Sequence, residues 1–502
     1  MAKSNVEALI ASIKNAGQKT ASALKTILSE MDRVPAEAAD GKLTARERLT
    51  SLLDEGTFSE LGAYVFRRNN EYDTEEGLES VICGWGSIDG TLVYCFSQDY
   101  SRAKGAISEA HARKIREVYR LAMENGAPVV GVFDSAGAVI PEGVKALAGY
   151  STIMSCAAEA SGVIPQIAVV PGVCSGSAAV IAAMFDFLII TEETGAVSVN
   201  SPFVVNSPDI GKSKFAAETG LAARVAKNDR AAMAEARRLV SFLPANNVEG
   251  TVFDKTNDNA NRLLGDDAFT AGGDVKTLIS AVADKGDYIE LYGSYAPSVT
   301  VGLLSVGGTV AGVIATNHAV DGGKLTIGAA RKASRFLSFL DSFNIPAVTI
   351  LDSEGPDVSA DTERSTYAAE LAKLASVYAS ARTPLVTLIA GEAYGAVFSI
   401  MGSKAIGADV VYALDTAKVG AMSAKAAVAF LWNDRIEGGV TREDLEVTWN
   451  ETNGSPAAAA SAGEIDDIVP LAEVRQHVAA AIEMLASKSK SAPRKRHANM
   501  PL

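Results

Sequence analysis

The sequence has few of the groups on which most catalytic sites are built. None of its four histidines falls in a Ser-His-Asp or Cys-His arrangement, so we expect them to be solvated or to lie on helix surfaces. There is no GxxxxGKS/T phosphate-binding loop and no GxGxxG dinucleotide motif. The carboxylates form no recognisable acid–base pair or metal site. Such a chain either lacks catalysis or achieves it through backbone donors and positioning. The histidines are His111, His318, His477 and His497.

Cysteine is equally scarce. The four cysteines are Cys83, Cys95, Cys156 and Cys174. None forms a CxxC pair, which disfavours a zinc ribbon. Several lie in apolar or small-residue runs, as the buried reduced thiols of cytosolic proteins do. The polar, amphipathic N-terminus has no signal-peptide core, and no stretch is long and apolar enough to cross a bilayer. We therefore expect a cytoplasmic protein.

The composition indicates a large globular chain without a polyanionic partner. Its 502 residues are 48% hydrophobic, so it can bury large cores, and this length usually gives two or three domains. The formal net charge of −14 disfavours nucleic acid or an anionic membrane as the main target. Local lysine and arginine residues could still bind a small anion.

Strand and helix patterns alternate along the first half of the sequence. The predicted elements are a strand hairpin at 79–98, a helix at 107–125, a strand at 129–133 and a helix at 143–160. Thr44 precedes Glu47 by three residues, which is the capping-box pattern of a helix start. This alternation predicts an α/β fold.

Two stretches, 126–191 and 344–402, share one order of motifs. Each contains a buried strand, a loop of small residues, a helix, a second strand and a small-residue turn. The matched positions are Asp134-Ser135 with Asp352-Ser353, Ile164-Pro165 with Thr383-Pro384, and Gly176 with Gly395. A period this long indicates two similar domains in one chain.

The turn GVCSGSAA, residues 172–179, places small residues where a strand passes into a helix. Small side chains let a ligand approach backbone N–H groups closely. The first N–H groups of a helix have no internal partner, and the helix dipole favours negative charge there. The alternative is a strand–helix junction whose small residues serve only tight packing. Because the chain repeats this turn, we favour a site that stabilises an oxyanion.

Several spaced motifs carry a family resemblance. They are KLTARERL (42–49), LLDEGTFSELG (52–62), GWGSIDG (84–90), DSAGAVIPEGVKALAGY (134–150), GVCSGSAAV (172–180), GAARKASRFLSFLDSFNIPAVTILD (328–352), PLVTLIAGEAYGAVFSIMGSK (384–404) and the tail RKRHANMPL (494–502). In this order they resemble the carboxyltransferase subunits of biotin-dependent acyl-CoA carboxylases and decarboxylases. The resemblance covers nearly the whole chain.

The resemblance implies an α/β fold with two crotonase (ClpP-like) β-β-α superhelix domains in tandem. The N-terminal carboxyltransferase domain, on the acyl-CoA side, would span residues 1–250. A linker would follow at 251–265. The C-terminal carboxyltransferase domain, on the biotin side, would span 266–502. Each active site would lie between the first domain of one subunit and the second domain of another.

The resemblance also implies catalysis by two pairs of backbone N–H groups. The pair that stabilises the thioester enolate falls on Gly176 and Ser177. The pair that stabilises the oxyanion of the biotin ureido group falls around Gly395, Ala396 and Val397, with Ala396 and Val397 favoured as donors. No side-chain acid or base is required, which agrees with the missing histidine constellation.

The sequence departs from the family pattern at several places. Ser177 stands where the family usually has a second glycine, and Val139 stands where it has an arginine. Ser177 still has an N–H, so the site can survive this change. Residues 353–363 lack the usual loop of the family. Ser399 occupies the position that helps the family to sort acyl groups by size.

The phosphates of coenzyme A would need cations. Arg102 and Lys104 could bind the nucleotide end of coenzyme A or could form a solvated basic edge. Lys332 and Arg335 lie at helical spacing, with the same two interpretations. The cofactor-binding residues implied in total are Arg102, Lys104, Ala136, Gly137 and Ser399.

Biotin must come from another protein, because the chain has no Met-Lys-Met attachment motif and no ATP-binding region of the carboxylase kind. The implied partners are a biotin carboxyl carrier protein and a biotin carboxylase subunit, or membrane decarboxylase subunits. A helix at 5–32 and the RKRH tail could dock a partner or be solvated ends. We expect a homo-oligomer, and the family's assemblies indicate a hexamer.

Three alternatives stay open at this point. The chain could be the alpha-type subunit of a sodium-pumping acyl-CoA decarboxylase. It could be a biotin-independent crotonase-type hydratase or isomerase, for which Glu142 and Glu392 are the candidate acids. It could also be a non-catalytic organiser of a carboxylase complex. Acetyl, propionyl, methylmalonyl and larger acyl groups all remain possible, with short chains favoured by the resemblance.

Overall fold

The computed structural model of the chain describes residues 14–26, 29, 42–67, 78–250, 252, 258–437 and 439–491. The chain divides into two compact units, Met1–Asn246 and Asn247–Leu502. Residues 14–26 of the predicted N-terminal helix are helical and form α1. The RKRH tail and His497 lie outside the described residues, as do residues 251 and 253–257 of the predicted linker.

The sheets of the first unit follow the alternation predicted from the sequence. The strands are β1 (Ser59–Leu61), β2 (Val81–Ile88), β3 (Thr91–Gln98), β4 (Val129–Val132), β5 (Gln166–Val170), β6 (Val173–Ser175), β7 (Phe187–Thr191), β8 (Ala196–Ser198) and β9 (Arg224–Ala226). A seven-stranded sheet has the order β1-β2-β3-β4-β5-β7-β9, and β6 pairs with β8 separately. The strands from β3 to β9 are parallel neighbours.

Parallel strands covered on both faces should be continuously apolar, and β4, β5 and β7 are buried at every residue. The helices that cover this sheet are α2 (Ala45–Leu52), α3 (Glu109–Asn125), α4 (Val144–Ala160), α5 (Ser177–Met184), α6 (Pro202–Val205), α7 (Ser213–Glu218) and α8 (Asp229–Ser241). The predicted capping box is confirmed, because Thr44 and Glu47 exchange hydrogen bonds at the start of α2.

The second unit repeats this plan. Its strands are β10 (Tyr288–Leu291), β11 (Val299–Val306), β12 (Thr309–Thr316), β13 (Ala347–Ser353), β14 (Leu385–Tyr394), β15 (Val410–Leu414), β16 (Lys418–Gly420) and β17 (Asp467–Val469). The sheet order is β10-β11-β12-β13-β14-β15-β17, and β16 pairs with the end of β14. The antiparallel strands again come first and the parallel strands follow.

The helices of the second unit surround its sheet and extend beyond it. They are α9 (Val275–Val282), α10 (Ile327–Ser342), α11 (Ala360–Glu363), α12 (Tyr367–Ser380), α13 (Ala424–Leu431), α14 (Asn433–Glu437), α15 (Arg442–Trp449), α16 (Pro456–Ser461) and α17 (Val474–Leu485). Within the described ranges, no helix has the length and apolarity that a bilayer crossing requires.

The cysteine prediction agrees with the structure. The four cysteines are free thiols, and Cys83, Cys95 and Cys174 are buried, while Cys156 is half-buried. Burial raises the pKa of the Cys83 thiol to about 12. These thiols therefore pack as small apolar side chains rather than as nucleophiles.

Candidate active site

Gly176 makes the turn from β6 into α5. Its φ of 65° and ψ of −134° belong to a conformation that is open to glycine and strained for other residues. Its N–H donates to Ser198 O at 2.9 Å, which fastens the turn to β8. Ser177 is therefore the first residue of α5, with its N–H at the positive end of the helix dipole.

Gly395 makes the equivalent turn in the second unit. Its φ is 54°, and its N–H donates to Gly420 O at 3.1 Å, which fastens the turn to β16. Ala396 and Val397 begin a helical turn that continues as a π-helix over Phe398–Gly402. The repeat predicted from the sequence thus extends to the hydrogen bond under each glycine.

These contacts indicate different roles for the predicted site residues. The N–H groups of Gly176 and Gly395 are occupied by carbonyl groups, so both glycines shape their turns. The first N–H groups of the following helices, at Ser177 and at Ala396, have no acceptor inside those helices. Ser177 and Ala396 are small and half-buried, whereas the side chain of Val397 is fully buried. Each junction can therefore present N–H groups to a developing negative charge.

A buried aspartate lies under each turn. Asp134 follows β4, and its Oδ1 accepts a hydrogen bond from Val173 N at 3.2 Å. Asp352, in β13, accepts one from Glu392 N at 3.0 Å. Each carboxylate therefore ties the end of one parallel strand to the strand that leads into the glycine turn.

The two aspartates have different hydrogen-bonding partners. Asp134 contacts Arg48 at 3.0 Å and Lys42 at 3.4 Å. Asp352 contacts His318 Nδ1 at 3.1 Å and accepts from Gly272 N at 2.9 Å. Sequence reasoning missed Arg48 and Lys42, because the KLTARERL segment signalled only a helix start. The available signal was Asp134 itself, which follows an apolar strand and has no cation close to it in the sequence. A buried carboxylate needs a positive partner, so this partner had to come from a distant segment.

The loop after Asp134 is held by its own hydrogen bonds. Ala136 N donates to Lys104 O at 2.9 Å, and Ile107 N donates to Gly137 O at 2.9 Å. Gly137 N donates to Ser135 Oγ at 3.2 Å. The structure thus brings the predicted residues Lys104, Ala136 and Gly137 together in one unit. Their predicted contact with coenzyme A remains a prediction, and it would use surfaces other than these N–H groups.

The other predicted binding residues either lie outside the two glycine turns or already have partners within the chain. Arg102 Nε lies 3.0 Å from Asp99 Oδ2, so its charge is balanced within the chain. The Lys104 side chain is exposed, and its backbone has a φ of 53°. Ser399 is exposed, and its Oγ donates to Ala396 O at 3.3 Å, one turn after the second junction.

The prediction that the histidines are solvated is wrong for His111. This side chain is completely buried, and burial lowers its pKa to about 3. Its Nδ1 lies 3.1 Å from Ser80 Oγ, which itself donates to Ala106 O at 2.7 Å. Its Nε2 lies 3.4 Å from Gln98 Nε2, and Gln98 Oε1 accepts from Asp134 N at 3.0 Å. A buried neutral histidine therefore supports the strand end beside the first junction.

The interpretation of Lys332 as a surface cation is also wrong. This lysine is buried, and its Nζ donates to Tyr292 O at 2.9 Å and to Tyr295 O at 2.8 Å. Burial lowers the pKa of its ammonium group to about 7. Arg335, one turn later, stacks over the ring of Tyr292 at 5.7 Å. Both residues fix the loop after β10.

The candidate acids of a biotin-independent mechanism have structural partners. Glu142 Oε2 accepts from Glu109 N at 2.8 Å, so it caps the start of α3. Glu392 Oε1 lies 3.1 Å from Lys418 Nζ. Among the residues that the structure describes, no group of three or more His, Cys, Asp or Glu could hold a metal ion.

Two tandem units, each with a parallel-sheet core, a glycine turn into a helix and an aspartate under the turn, define a repeated crotonase-type superhelix. The chain belongs to the carboxyl transferase family, because the family model described as "Carboxyl transferase domain" matches residues 36–500.

Individual relatives agree with this family. The propionyl-CoA carboxylase beta chain of Roseobacter denitrificans is 36% identical over 489 residues, covering 94% of this chain and 96% of the relative. Methylmalonyl-CoA decarboxylase subunit alpha of Veillonella parvula is 36% identical over 489 residues, covering 94% and 95%. A solved structure of transcarboxylase 12S, with methylmalonyl-coenzyme A and methylmalonic acid bound, matches with a TM-score of 0.88 and 32% identity, covering 92% of this chain and 93% of that one.

These comparisons confirm the predicted family, fold class and reaction class. The chain is an α/β protein with two crotonase-type domains in tandem. It is a biotin-dependent acyl-CoA carboxyltransferase whose substrates are coenzyme A thioesters.

Proposed function

We propose that the chain moves a carboxylate between carboxybiotin and a short-chain acyl-CoA, with propionyl-CoA and methylmalonyl-CoA as the preferred pair. This preference is supported by the names of the relatives, a propionyl-CoA carboxylase beta chain and a methylmalonyl-CoA decarboxylase subunit alpha. Acetyl-CoA is the next candidate. The opposite direction, decarboxylation, is the second candidate function, and the decarboxylase relative supports it.

The observation that carries this proposal is the pair of matching junctions. At the first, Ser177 N–H would donate to the thioester oxygen as this oxygen gains negative charge, while Gly176 sets the turn. At the second, Ala396 and Val397 N–H would donate to the ureido oxygen, with Gly395 as the turn. Losing one such donor typically costs about 2.7–4 kcal/mol of barrier. We assign the first unit to the acyl-CoA side and the second unit to the biotin side.

The second junction fits a flat polar group such as the ureido ring. A Cβ built at Gly395 would approach only Ala421 O, at 3.4 Å, and Ala396 adds a single methyl group. Biotin, bound on its carrier, would supply the carboxylate. The protein residues would bind the thioester oxygen and the ureido oxygen and would exclude water. No protein acid or base is needed, which agrees with the structural partners of Glu142 and Glu392.

We further propose a homohexamer that is visited by a biotin carboxyl carrier protein and works with a biotin carboxylase subunit or with membrane decarboxylase subunits. The transcarboxylase 12S relative is described as a hexamer assembly. Light scattering should then give about six times the chain mass of 52.2 kDa. A cytoplasmic location is supported by the free thiols, which suit a reducing compartment.

Transfer of labelled carboxylate from malonyl-CoA and methylmalonyl-CoA to free biotin tests the reaction. The purified chain should transfer label, and Gly176→Pro should not, because proline cannot adopt the φ of 65° and removes the N–H that binds Ser198. Absence of transfer from both esters, and from a panel of longer acyl-CoA esters, would leave the non-catalytic organiser as the better description.

A further inference from the structure

A cleft of about 420 Å³ opens between α3 and α4 in the first unit. Its floor is made of small residues, because the helices approach closely there: a Cβ built at Gly149 would lie 3.1 Å from Ala112 Cβ and 3.2 Å from Ser108 O. Its rim carries three cations, Arg113 and Arg116 from α3 and Lys145 from α4. The floor of the cleft therefore consists of small residues, and its rim is positively charged. Among the described residues that line it, Glu109 is the one acid.

None of these three cations makes a hydrogen bond or an ion pair with the part of the chain that the structure describes. The neighbouring cation on α3 behaves differently, because Arg120 pairs with Glu117 at 2.5 Å and with Glu124 at 2.7 Å. Three like charges that line one cleft repel each other. In a chain with a net charge of −14, such a cluster calls for an anion from outside the protein.

In the second unit, α10 and α12 correspond to α3 and α4, and a carboxylate of the chain itself pairs with the arginine of α10. Arg331 follows the N-cap residue Thr326 of α10 by five residues, as Arg113 follows the N-cap residue Ser108 of α3. Glu370 of α12, a buried residue, binds Arg331 at 3.0 Å and Lys373 at 3.4 Å.

Among the described residues that line the cleft of the first unit, α4 contributes no carboxylate. The acid in α4 is Glu159, near the C-terminal end of the helix, and Gly149 lies against α3 instead. The repeat therefore contrasts a helix pair whose cations bind a buried carboxylate of the chain with a helix pair whose cations line an open cleft.

A second cavity of about 620 Å³ continues from this cleft. The two cavities share Arg116 and Thr152. The second is lined further by Tyr119, Met123, Ser155 and Cys156 and by the charged side chains of Glu117, Arg120, Glu124 and Glu159. A cationic part next to a part that combines Met123 and Cys156 with carboxylates suits a ligand that has phosphate groups joined to a flat ring with amino groups, because a carboxylate accepts hydrogen bonds from such groups. We propose that the cleft binds the phosphate groups of a nucleotide through Arg113, Arg116 and Lys145, with the base in the adjoining cavity.

Two sources could supply this nucleotide. One is the nucleotide end of the coenzyme A thioester, and this arm rests on the proposed function. Its support is the bond from Ile107 N to Gly137 O, which joins the segment before α3 to the loop beside the first junction. The other source is a free nucleotide that regulates the enzyme. Both present the same phosphate chemistry to the cleft.

Calorimetric titration of the purified chain with adenosine 3′,5′-bisphosphate tests the site without requiring turnover. Arg113→Gln, Arg116→Gln and Lys145→Gln should each weaken binding by about tenfold, because each removes a charge-assisted contact. Lys214→Gln removes an exposed cation of α7 outside the cleft and should leave the affinity unchanged. Ala148→Glu should weaken binding more than Ala148→Gln, because it imitates the carboxylate of the second unit at equal bulk.

Competition against the bound bisphosphate identifies which molecule supplies the nucleotide. If coenzyme A displaces the bisphosphate and dephospho-coenzyme A does so poorly, the substrate's own nucleotide occupies the cleft. The variants should then raise the KM for propionyl-CoA while leaving turnover of propionyl-pantetheine unchanged. If ADP binds to the chain saturated with coenzyme A, the site takes a free nucleotide. Absence of carboxylate transfer in the wild type counts against the proposed function and not against the titrations.

Three results would overturn the proposal. They are no binding of any of these nucleotides to the wild type, binding that the three charge variants do not change, and a change in oligomeric mass in those variants with unaltered nucleotide affinity. In the last case the cations would serve a contact between subunits. Circular dichroism of each variant verifies that α3 and α4 are intact.

Discussion

Arg48 Nη1 and Asp134 Oδ2 lie 3.0 Å apart, and both side chains are almost completely buried. The same guanidinium donates to Asp229 at 2.8 Å. One arginine thus pairs with two buried carboxylates and joins α2 to α8 and to the strand end under the first glycine turn. The position of that turn therefore depends on a residue far from it in the sequence.

Arg48→Met should strongly destabilise the first unit. It leaves Asp134 and Asp229 buried with less positive charge, and breaking a buried pair typically costs about 3–5 kcal/mol. Urea unfolding, followed by fluorescence and circular dichroism, measures this loss. Arg120→Gln is the control, because its ion pairs are about half exposed and exposed ion pairs contribute little to stability. Equal stability of the two variants would contradict the structural role of Arg48.

Gly176→Ala should remove most carboxyl transfer while the chain stays folded. A Cβ at this position meets no atom within 4 Å, so the methyl group fits, but φ at 65° strains an alanine. Relief of that strain would move Ser177 N–H away from its acceptor. We expect kcat/KM to fall by about 100-fold or more, as for loss of an oxyanion donor.

Gly143→Ala is a matched control for this variant. Gly143 has a φ of 56° and a ψ of −126° at the start of α4, close to the values at Gly176, and a Cβ there also has open space. The same strain, about 1–3 kcal/mol, therefore applies at a different helix start. If Gly143→Ala lowers transfer as much as Gly176→Ala, general strain rather than donor geometry explains the effect.

The sequence predicted the repeat well because its signals are local. Strand, aspartate, small-residue turn and helix follow one another along the chain, so the pairs Asp134 with Asp352 and Gly176 with Gly395 could be read directly. The capping box at Thr44 is equally local. The alternation of buried strands and helices was enough for the fold class.

The errors concern groups whose surroundings come from distant segments. His111 and Lys332 lie in amphipathic helices, and nothing local shows that Gln98 or the carbonyl groups of Tyr292 and Tyr295 would meet them. The bonds from Gly176 to Ser198 O in β8 and from Gly395 to Gly420 O in β16 could not be predicted either, because these acceptors lie in strands that come later in the chain. Long-range pairing therefore decides which N–H groups remain open.

His111→Gln should make the chain less sensitive to acid. Burial lowers the pKa of His111 from its ordinary 6.5 to about 3. As pH falls from about 6.5 towards 3, His111 becomes protonated in the unfolded chain but stays neutral in the folded chain, so the free energy of unfolding decreases. The loss approaches about 1.4 kcal/mol per pH unit for this one group.

Urea midpoints at pH 7.5 and pH 5 measure this effect. The midpoint of the wild type should drop more between these values than that of His111→Gln, although the variant starts lower because it loses a buried hydrogen bond. His477→Gln serves as the comparison, because His477 is a half-buried helix residue whose Nδ1 donates to Glu473 O at 2.9 Å. A drop of equal size in all three proteins would show that His111 is not the acid-sensitive group.

Glu142→Gln should retain carboxyl transfer. Glu142 Oε2 accepts from Glu109 N at 2.8 Å, and a glutamine oxygen can accept the same bond, so α3 keeps its cap. Glu142→Ala removes this acceptor and should lower the free energy of unfolding by about 1 kcal/mol, while transfer at saturating substrate stays near the wild-type value. If Glu142→Gln instead abolishes turnover with α3 intact, Glu142 acts on the substrate. The biotin-independent mechanism would then replace the backbone mechanism, because the lost group would be a proton carrier rather than a cap.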